Sequence, residues 1–396
     1  MLRPLVDEIQ AFEGFGPCLL ASDTEPHAVE LVRPADARAT RRLIRQRVTP
    51  TPGVYGMISA EGELIYVGKS KRLRDRLVSY FPGGSTRSKA ERIVRHTQRV
   101  VFENAPGELA ALLRELELIR RWRPRYNVRG QPRRMRKAYL CLGRGPAAHA
   151  YLAAKPSPRA DVLFGPVRGG RHARRLVRLL NDCFGLRDCS AQVPILFSDQ
   201  RELFYQQRPA RCLRHELGTC LAPCVGACSG REYAERVRAA HDFLGGRDRS
   251  LLGRLEHQMR SAAAVAQFER AALLRDRWEA LGELEGQLQR LRDVRRRYTF
   301  IYPMPGYEGG ETWCLIHHGH VVAATDAPKT RRRAKRCLER IREVYSEEGR
   351  NGSRETPDDL DMLGLIGSWF QHHPEELDRT FRPHDAVRMC RSRACC

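Results

Sequence analysis

An α+β fold assembled from small modules is what the 396-residue sequence predicts. Short runs of β-branched and aromatic residues are joined by tight turns, which marks antiparallel hairpins. Leucine-striped stretches follow them with helical spacing. A third stretch, 231–292, is helical in pattern and, for most of its length, free of proline.

Residues 1–48 form an N-terminal extension without a clear site, ending in the basic helical stretch ADARATRRLIRQRV. A second module, 49–130, opens at the turn TPTPG. Within it, GVYGMISA and ELIYVGKS are β-rich and meet at Glu61-Gly62. KRLRDRLVSYF has helical spacing, with Leu73, Leu77 and Tyr80 on one face. Gly83 and Gly84 end that segment. A second helix is expected over about 87–98, a strand at RVVFEN, and a third helix from Gly107 to Trp122. Leu109, Leu112, Leu113 and Leu116 give that helix its buried stripe, and Pro124 stops it. Residues 136–228 make a cysteine-rich mixed module with the strands KAYLCL and DVLFGPV and the basic helix RHARRLVRLLNDCF. A helical hairpin at 231–292 follows, then a small α+β region at 293–350 with strands TFIYPM, TWCLIHH and HVVAAT. The tail, 351–396, begins within the polar linker RNGSRETPDD.

Charge narrows the partners. Seventy Lys and Arg against 47 Asp and Glu leave +23, mostly as arginine, whose planar fork suits phosphate oxygens. A nucleic acid is the natural partner, and charge alone does not choose DNA over RNA. No apolar run approaches the roughly 18–20 residues that span a bilayer, so no membrane partner is expected. MLRPLVDEIQAFEGFG has acids where a signal peptide would be apolar, so a soluble, cytoplasmic protein is expected. In a reducing compartment the 13 cysteines point to thiols or metal ligands.

Chemistry concentrates in 49–130. Tyr55 and Tyr66 fall on paired strands, where their phenols can converge on one face. Gly68 is read as a tight turn into the helix that also lets a ligand approach. Lys69, Arg72 and Arg76, spaced i, i+3, i+7, are read as three cations on one side of that helix. Two phenols, three cations and a glycine facing one surface make a phosphate site.

PGVY at 52–55 followed by YVGKSKRLRDRLVSYF at 66–81 resembles the GIY-YIG nuclease motif of the bacterial excinuclease UvrC family. GELAALLRELELIRRWRPRYNV (107–128) is similar to that family's helix ending in Pro-x-Tyr-Asn. The resemblance implies a DNA endonuclease acting on damaged double-stranded DNA, with a single metal-dependent incision 3′ to a lesion. Glu115 would hold Mg²⁺ or Mn²⁺, Arg76 the scissile phosphate, and Tyr55 and Tyr66 the attacking water. Lys69, with the nearby metal, would lower a phenol's pKa. Gly68, Lys71 and Arg72 would face DNA, and Asn127 would fix the local turn and the Glu115 helix. Glu108 and Glu117 are read as solvated.

Cys212, Cys220 and Cys224 lie in the loop RPARCLRHELGTCLAPCVG, with Cys189 upstream in FGLRDC. The segment also resembles the UvrC family, which implies four cysteines on a [4Fe–4S] cluster; thiolates suit Zn²⁺ as well. About ten extra residues within 190–211 leave Cys183 or Cys228 as substitutes for Cys189. LEHQMRSAAAVAQFERAALLRDRWEAL (255–281) resembles the UVR helical hairpin, which implies docking to a UvrB-like protein. Phe268, Ala271, Ala272 and Trp278 would form its tight face, and Glu269, Arg275 and Asp276 its charged signature. His317, His318 and His320 are read as flanking a strand turn at Gly319, not as ligands. The likeness covers about 50–290 and is to short one-nuclease homologues such as Cho, with a UVR-like segment kept. Two rivals remain: a non-catalytic adaptor that competes for UvrB, and a structure-specific GIY-YIG nuclease independent of it.

Overall fold

The computed structural model describes residues 11–21, 27–34, 36–81, 89–127, 137–153, 160–168, 170–190, 192–200, 212–307, 310–346 and 359–395. The chain divides into two compact units, residues 1–135 with 294–396, and residues 136–293.

The first unit begins with β1 (Ala28–Val32), α1 (Ala37–Arg47), β2 (Gly53–Ile58), β3 (Leu64–Ser70), α2 (Leu73–Ser79), α3 (Lys89–Arg95), β4 (Arg99–Asn104) and α4 (Glu108–Trp122). Its four strands form an antiparallel sheet in the order β1-β4-β2-β3. Side chains alternate between faces along each strand. Tyr55, Met57, Val100 and Phe102 pack with Ile44, Leu73 and Leu77 of α1 and α2. Val54, Val67 and Val101 pack with Leu109, Leu113 and Leu116 of α4. The sheet therefore lies between two helical layers. Asp36 caps α1 by accepting from the Ala39 N–H at 2.8 Å. At the end of α4, Arg123 takes the left-handed conformation (φ 48°), and Pro124 follows.

The second unit pairs β5 (Lys137–Gly143) with β6 (Ala150–Ala153) on one side and β7 (Ala160–Arg168) on the other. It continues through α5 (Arg171–Phe184), the short α6 (Leu213–Glu216), α7 (Gly230–Leu244), α8 (Ser250–Ala264) and α9 (Phe268–Arg297). The helical segment is thus three helices, not a hairpin alone. Leu274, Leu281, Leu284 and Leu288 recur on one side of α9 and are buried with Phe243, Leu244, Leu251 and Leu255.

The chain then returns to the first unit with β8 (Phe300–Pro305), β9 (Glu311–His317), β10 (His320–Asp326), α10 (Arg331–Tyr345) and helices Asp359–His372 and Pro383–Cys395. The strands form a meander. Ile301, Trp313 and Leu315 pack on α10 and the last helix through Cys337, Ile341, Ala386 and Cys390. From the other face, Phe300, Cys314 and Ile316 join Ile119 of α4, Ile366 and Phe370 in one core. Residues 294–396, which read as a separate region and tail, therefore share a core with the 49–130 module. Most of the linker at 350–359 falls outside the described residues.

Residues 15–17, read as featureless, also belong to this unit. Arg114 of α4 is buried, with Nε and Nη2 on the Glu103 carboxylate at 3.1 Å each. Its remaining donors reach the carbonyls of Pro17 and Gly16, each at 2.7 Å, and Glu117 at 2.9 Å. Every guanidinium N–H is used, which is the condition for keeping such a charge away from water.

Candidate active site

The β2–β3 register sets Tyr55 opposite Gly68 and Met57 opposite Tyr66, so both phenols come from adjacent strands. They meet a third ring. Tyr80, at the end of α2, places its hydroxyl 2.9 Å from that of Tyr55 and 3.5 Å from that of Tyr66. Arg76, one turn earlier, donates from Nε to the Tyr55 oxygen at 3.3 Å and from Nη2 to the Tyr80 oxygen at 3.4 Å. Sequence reasoning assigned Tyr80 to the packing face and missed its hydroxyl. The signal was the i, i+4 spacing from Arg76.

Gly68 has a different reason from the expected turn. It lies inside β3, beneath the Tyr55 ring. A Cβ there would stand 2.5 Å from the Tyr55 hydroxyl oxygen and 2.6 Å from Cζ. Glycine is required so that the ring can lie across the strand.

The three cations do not share a helix face. Lys69 is still in β3, Arg72 caps α2, and only Arg76 lies within the helix. Lys69 and Lys71 both reach Glu108, at 3.7 and 2.7 Å. Arg72 pairs with Asp75. Glu108 is therefore engaged, as is Glu117, which bonds Arg114 and Arg121; neither is merely solvated.

Glu115 is half-buried on α4 and accepts from the Lys69 backbone N–H. Burial pushes its carboxyl up to about 7, against the smaller pulls of Lys69 and Arg76. Among the described residues it has no ion pair, because Lys69 is taken by Glu108 and Arg76 by the tyrosines. Such a carboxylate suits a cation. Tyr55 and Tyr66 are shifted upward, chiefly by burial, and the Arg76 hydrogen bond pulls Tyr55 the other way.

Asn127 acts on β3 instead of on the α4 helix. Its Oδ1 accepts from the Val67 N–H and its Nδ2 donates to the Val67 carbonyl, both at 2.8 Å. This clamps the strand between Tyr66 and Gly68.

Two stretches of the chain are similar to known proteins. Residues 51–128 match the family described as the UvrC-like GIY-YIG domain. Residues 51–128 are a UvrC-like GIY-YIG domain. Residues 138–243 match the middle domain of the UvrC/Cho excinucleases. UvrABC system protein C of Shewanella halifaxensis is 36% identical over 242 residues, 61% of this chain and 37% of that protein. Its counterpart in Mesorhizobium japonicum is 32% identical over 280 residues, 71% of this chain and 39% of that protein. The chain thus spans less than two-fifths of the length of these relatives. The GIY-YIG N-terminal endonuclease domain of UvrC from Thermotoga maritima, solved with its catalytic magnesium, is 36% identical. It covers 22% of this chain and 97% of its own, with a TM-score of 0.20.

Beyond the GIY-YIG domain, Cys189, Cys212, Cys220 and Cys224 line one cavity of about 30 Å³ together with Arg187 and Arg214. Cys183 packs against the helical core of the second unit, and Cys228 is buried within that core beside Cys220 and Cys224. Neither lines the cavity. Among the described residues no three possible ligands stand together at metal-binding distances, the three histidines included. His318 instead places Nδ1 3.1 Å from the Arg295 carbonyl oxygen.

The α8–α9 turn leaves the residues of the UVR-like face open. Phe268 is 70% exposed and Trp278 37%; Ala272, Glu269, Arg275 and Asp276 are exposed as well. Arg275 pairs with Asp276 and Glu279 along the helix. No helix among the described residues is long and apolar enough to cross a membrane.

Proposed function

We propose that this chain is an endonuclease that hydrolyses one phosphodiester bond in damaged double-stranded DNA, on the 3′ side of a lesion. The observation that carries this reading is Arg76 joined to Tyr55 and Tyr80, with Tyr66 beside them and Glu115 electrostatically coupled to Tyr66 and Arg76. A guanidinium held by phenols at both Nε and Nη2 is fixed in direction before substrate arrives. It can take the scissile phosphate and stabilise the charge that grows on it. The protonated phenols orient the attacking water. Arg76 is the group that pulls the Tyr55 proton toward release, against burial.

Glu115 is the residue that would hold Mg²⁺ or Mn²⁺, since a lone carboxylate leaves the rest of the shell to water and phosphate oxygens. Such an ion supplies charge neutralisation at the leaving oxygen. Lys69 holds the Glu115 carboxylate through its backbone N–H and, with Lys71, offers positive charge to the strand. The incision test compares wild type with Glu115→Ala on a lesion-bearing duplex with Mg²⁺ and a UvrB-like helicase partner. Equal product from both would end the catalytic reading.

The exposed apolar residues at the α8–α9 turn (Val265, Phe268 and Leu273) support docking to that partner. The relatives' name, a component of a UvrABC system, supports it too. Phe268→Ala should weaken capture by the partner while leaving partner-free cleavage intact. The same exposed turn is what an adaptor would use, and that reading gains only if partner binding persists and no Mg²⁺-dependent product forms. Four cysteines around one small cavity supply the thiolates that a [4Fe–4S] cluster or Zn²⁺ takes, and they would have to draw together to hold either, since no three described ligands stand at metal-binding distances. Iron and sulfide content of protein isolated without oxygen, wild type against Cys212→Ser, tests for the cluster.

A further inference from the structure

We infer that α1, which lies before the residues matched as the GIY-YIG domain, is a duplex-DNA phosphate track for the active site beside it. The inference rests on the nuclease reading and adds the surface that would hold the substrate.

α1 carries five arginines and no acid in its 11 residues. They divide by role. Arg41 is half-buried and donates to the Phe81 carbonyl at 2.7 Å, fixing the helix to the end of α2. Thr40, Ile44 and Val48, at i, i+4, i+8, face the core shared with Leu73 and Leu77. Arg74 of α2 returns the contact by donating to the Val48 carbonyl at 2.7 Å. Arg38, Arg42 and Arg45, at i, i+4, i+7, point the other way. All three are exposed, and none has an ion-pair partner among the described residues. The nearest acid on the helix, Asp36, is occupied in capping it.

These three exposed guanidinium groups along one helix face repel one another, Arg38 alone feeling the charge of the capping Asp36, and nothing in the described packing of α1 needs them. Their row spans roughly 10 Å along the axis, the rise of about three nucleotides in one strand of B-DNA. α1 packs directly on α2, the helix that carries Arg76, and both cover the sheet face from which Tyr55 projects. On the opposite face, α4 mixes Glu108, Glu115 and Glu117 with its arginines. The two helical layers therefore differ in sign balance, and a polyanion approaching Arg76 meets the α1 row on the same side.

The test measures duplex affinity of the full chain over a salt series without Mg²⁺, for wild type and for Arg38→Gln/Arg42→Gln/Arg45→Gln. A control, Arg331→Gln/Arg332→Gln/Lys335→Gln on exposed positions of α10, removes the same charge. If α1 contacts phosphates, the slope of log K against log salt falls by about 2–3, near 0.9 per lost contact, and the control falls by clearly less. Equal slopes for the two variants, or a wild-type slope for the α1 variant, overturn the track; an α1 that instead holds an acidic protein gives the latter. Failure of the nuclease reading is read separately, as unchanged cleavage in Glu115→Ala.

Discussion

The hydroxyl oxygens of Tyr55 and Tyr80 stand 2.9 Å apart, and the Arg76 guanidinium reaches both. A phenol from the centre of a sheet and one from a helix end are thereby fixed by one cation. Tyr80→Phe keeps the ring and its packing but deletes a partner of both Tyr55 and Arg76. Cleavage should fall roughly 10- to 100-fold through kcat, the range for loss of a group that orients another. The melting temperature should stay within about 2 °C. Full activity in this variant would show that Tyr80 only fills space.

Glu115 makes the site sensitive to pH near neutrality. Its carboxyl is raised from an ordinary value of 4.5 to about 7, first by burial. A raised carboxyl favours the folded state while protonated; that advantage is complete below about 4.5 and is lost as pH rises through 7. Metal-free wild type should therefore lose melting temperature relative to Glu115→Gln between pH 5 and pH 8, by a few degrees. Cation binding requires the ionised form, so Mg²⁺ affinity should rise about tenfold per pH unit below 7 and then level. A temperature difference constant across that range would count against the buried carboxylate.

Gly68 and Tyr55 occupy the same space from opposite strands. Gly68→Ala puts a methyl where the Tyr55 Oη and Cζ leave 2.5 and 2.6 Å, so the ring must move. A stability cost of about 1–3 kcal/mol is expected from the clash. Cleavage should drop by up to about 100-fold from the misplaced phenol. Adding Tyr55→Ala should recover much of the lost stability and none of the activity. If it recovers no stability, the clash lies elsewhere.

Local pattern made much of this site legible. The hairpin of Tyr55 and Tyr66 and the leucine stripe of α4 are encoded within a few turns of chain, whereas Glu115 stands out only through the likeness to the UvrC family. What sequence did not show is long-range. Lys69 was assigned to a helix because i, i+3, i+7 spacing fits one, yet pairing with Val54 keeps it in β3. Tyr80 looked apolar because Leu73 and Leu77 share its face. On α9 the helical spacing marks Leu281, Leu284 and Leu288, which are buried with Leu274, whereas the exposure of Phe268 depends on which side of the helix the rest of the unit covers. Residues 15–17 carry no periodicity at all; their place is set by carbonyls that answer an arginine about 97 positions away.

That arginine gives the most discriminating stability test. Arg114 and Glu103 are each 1% exposed and satisfy one another across β4 and α4, with a closest N–O separation of 3.1 Å. Removing one partner leaves the other charge buried, which costs about 3–5 kcal/mol; replacing both with apolar residues of similar volume is often near neutral. Arg114→Met alone should therefore destabilise strongly, and Arg114→Met/Glu103→Leu should recover most of the loss. Recovery should stay incomplete, because the Gly16 and Pro17 carbonyls also lose their donors. The double variant should accordingly show increased proteolytic cutting around residues 11–21 while the sheet stays protected. If Arg114→Met, Glu103→Leu and the double variant melt alike, the segment is held by its apolar contacts, such as Phe15, and the buried pair contributes little to joining it to the domain.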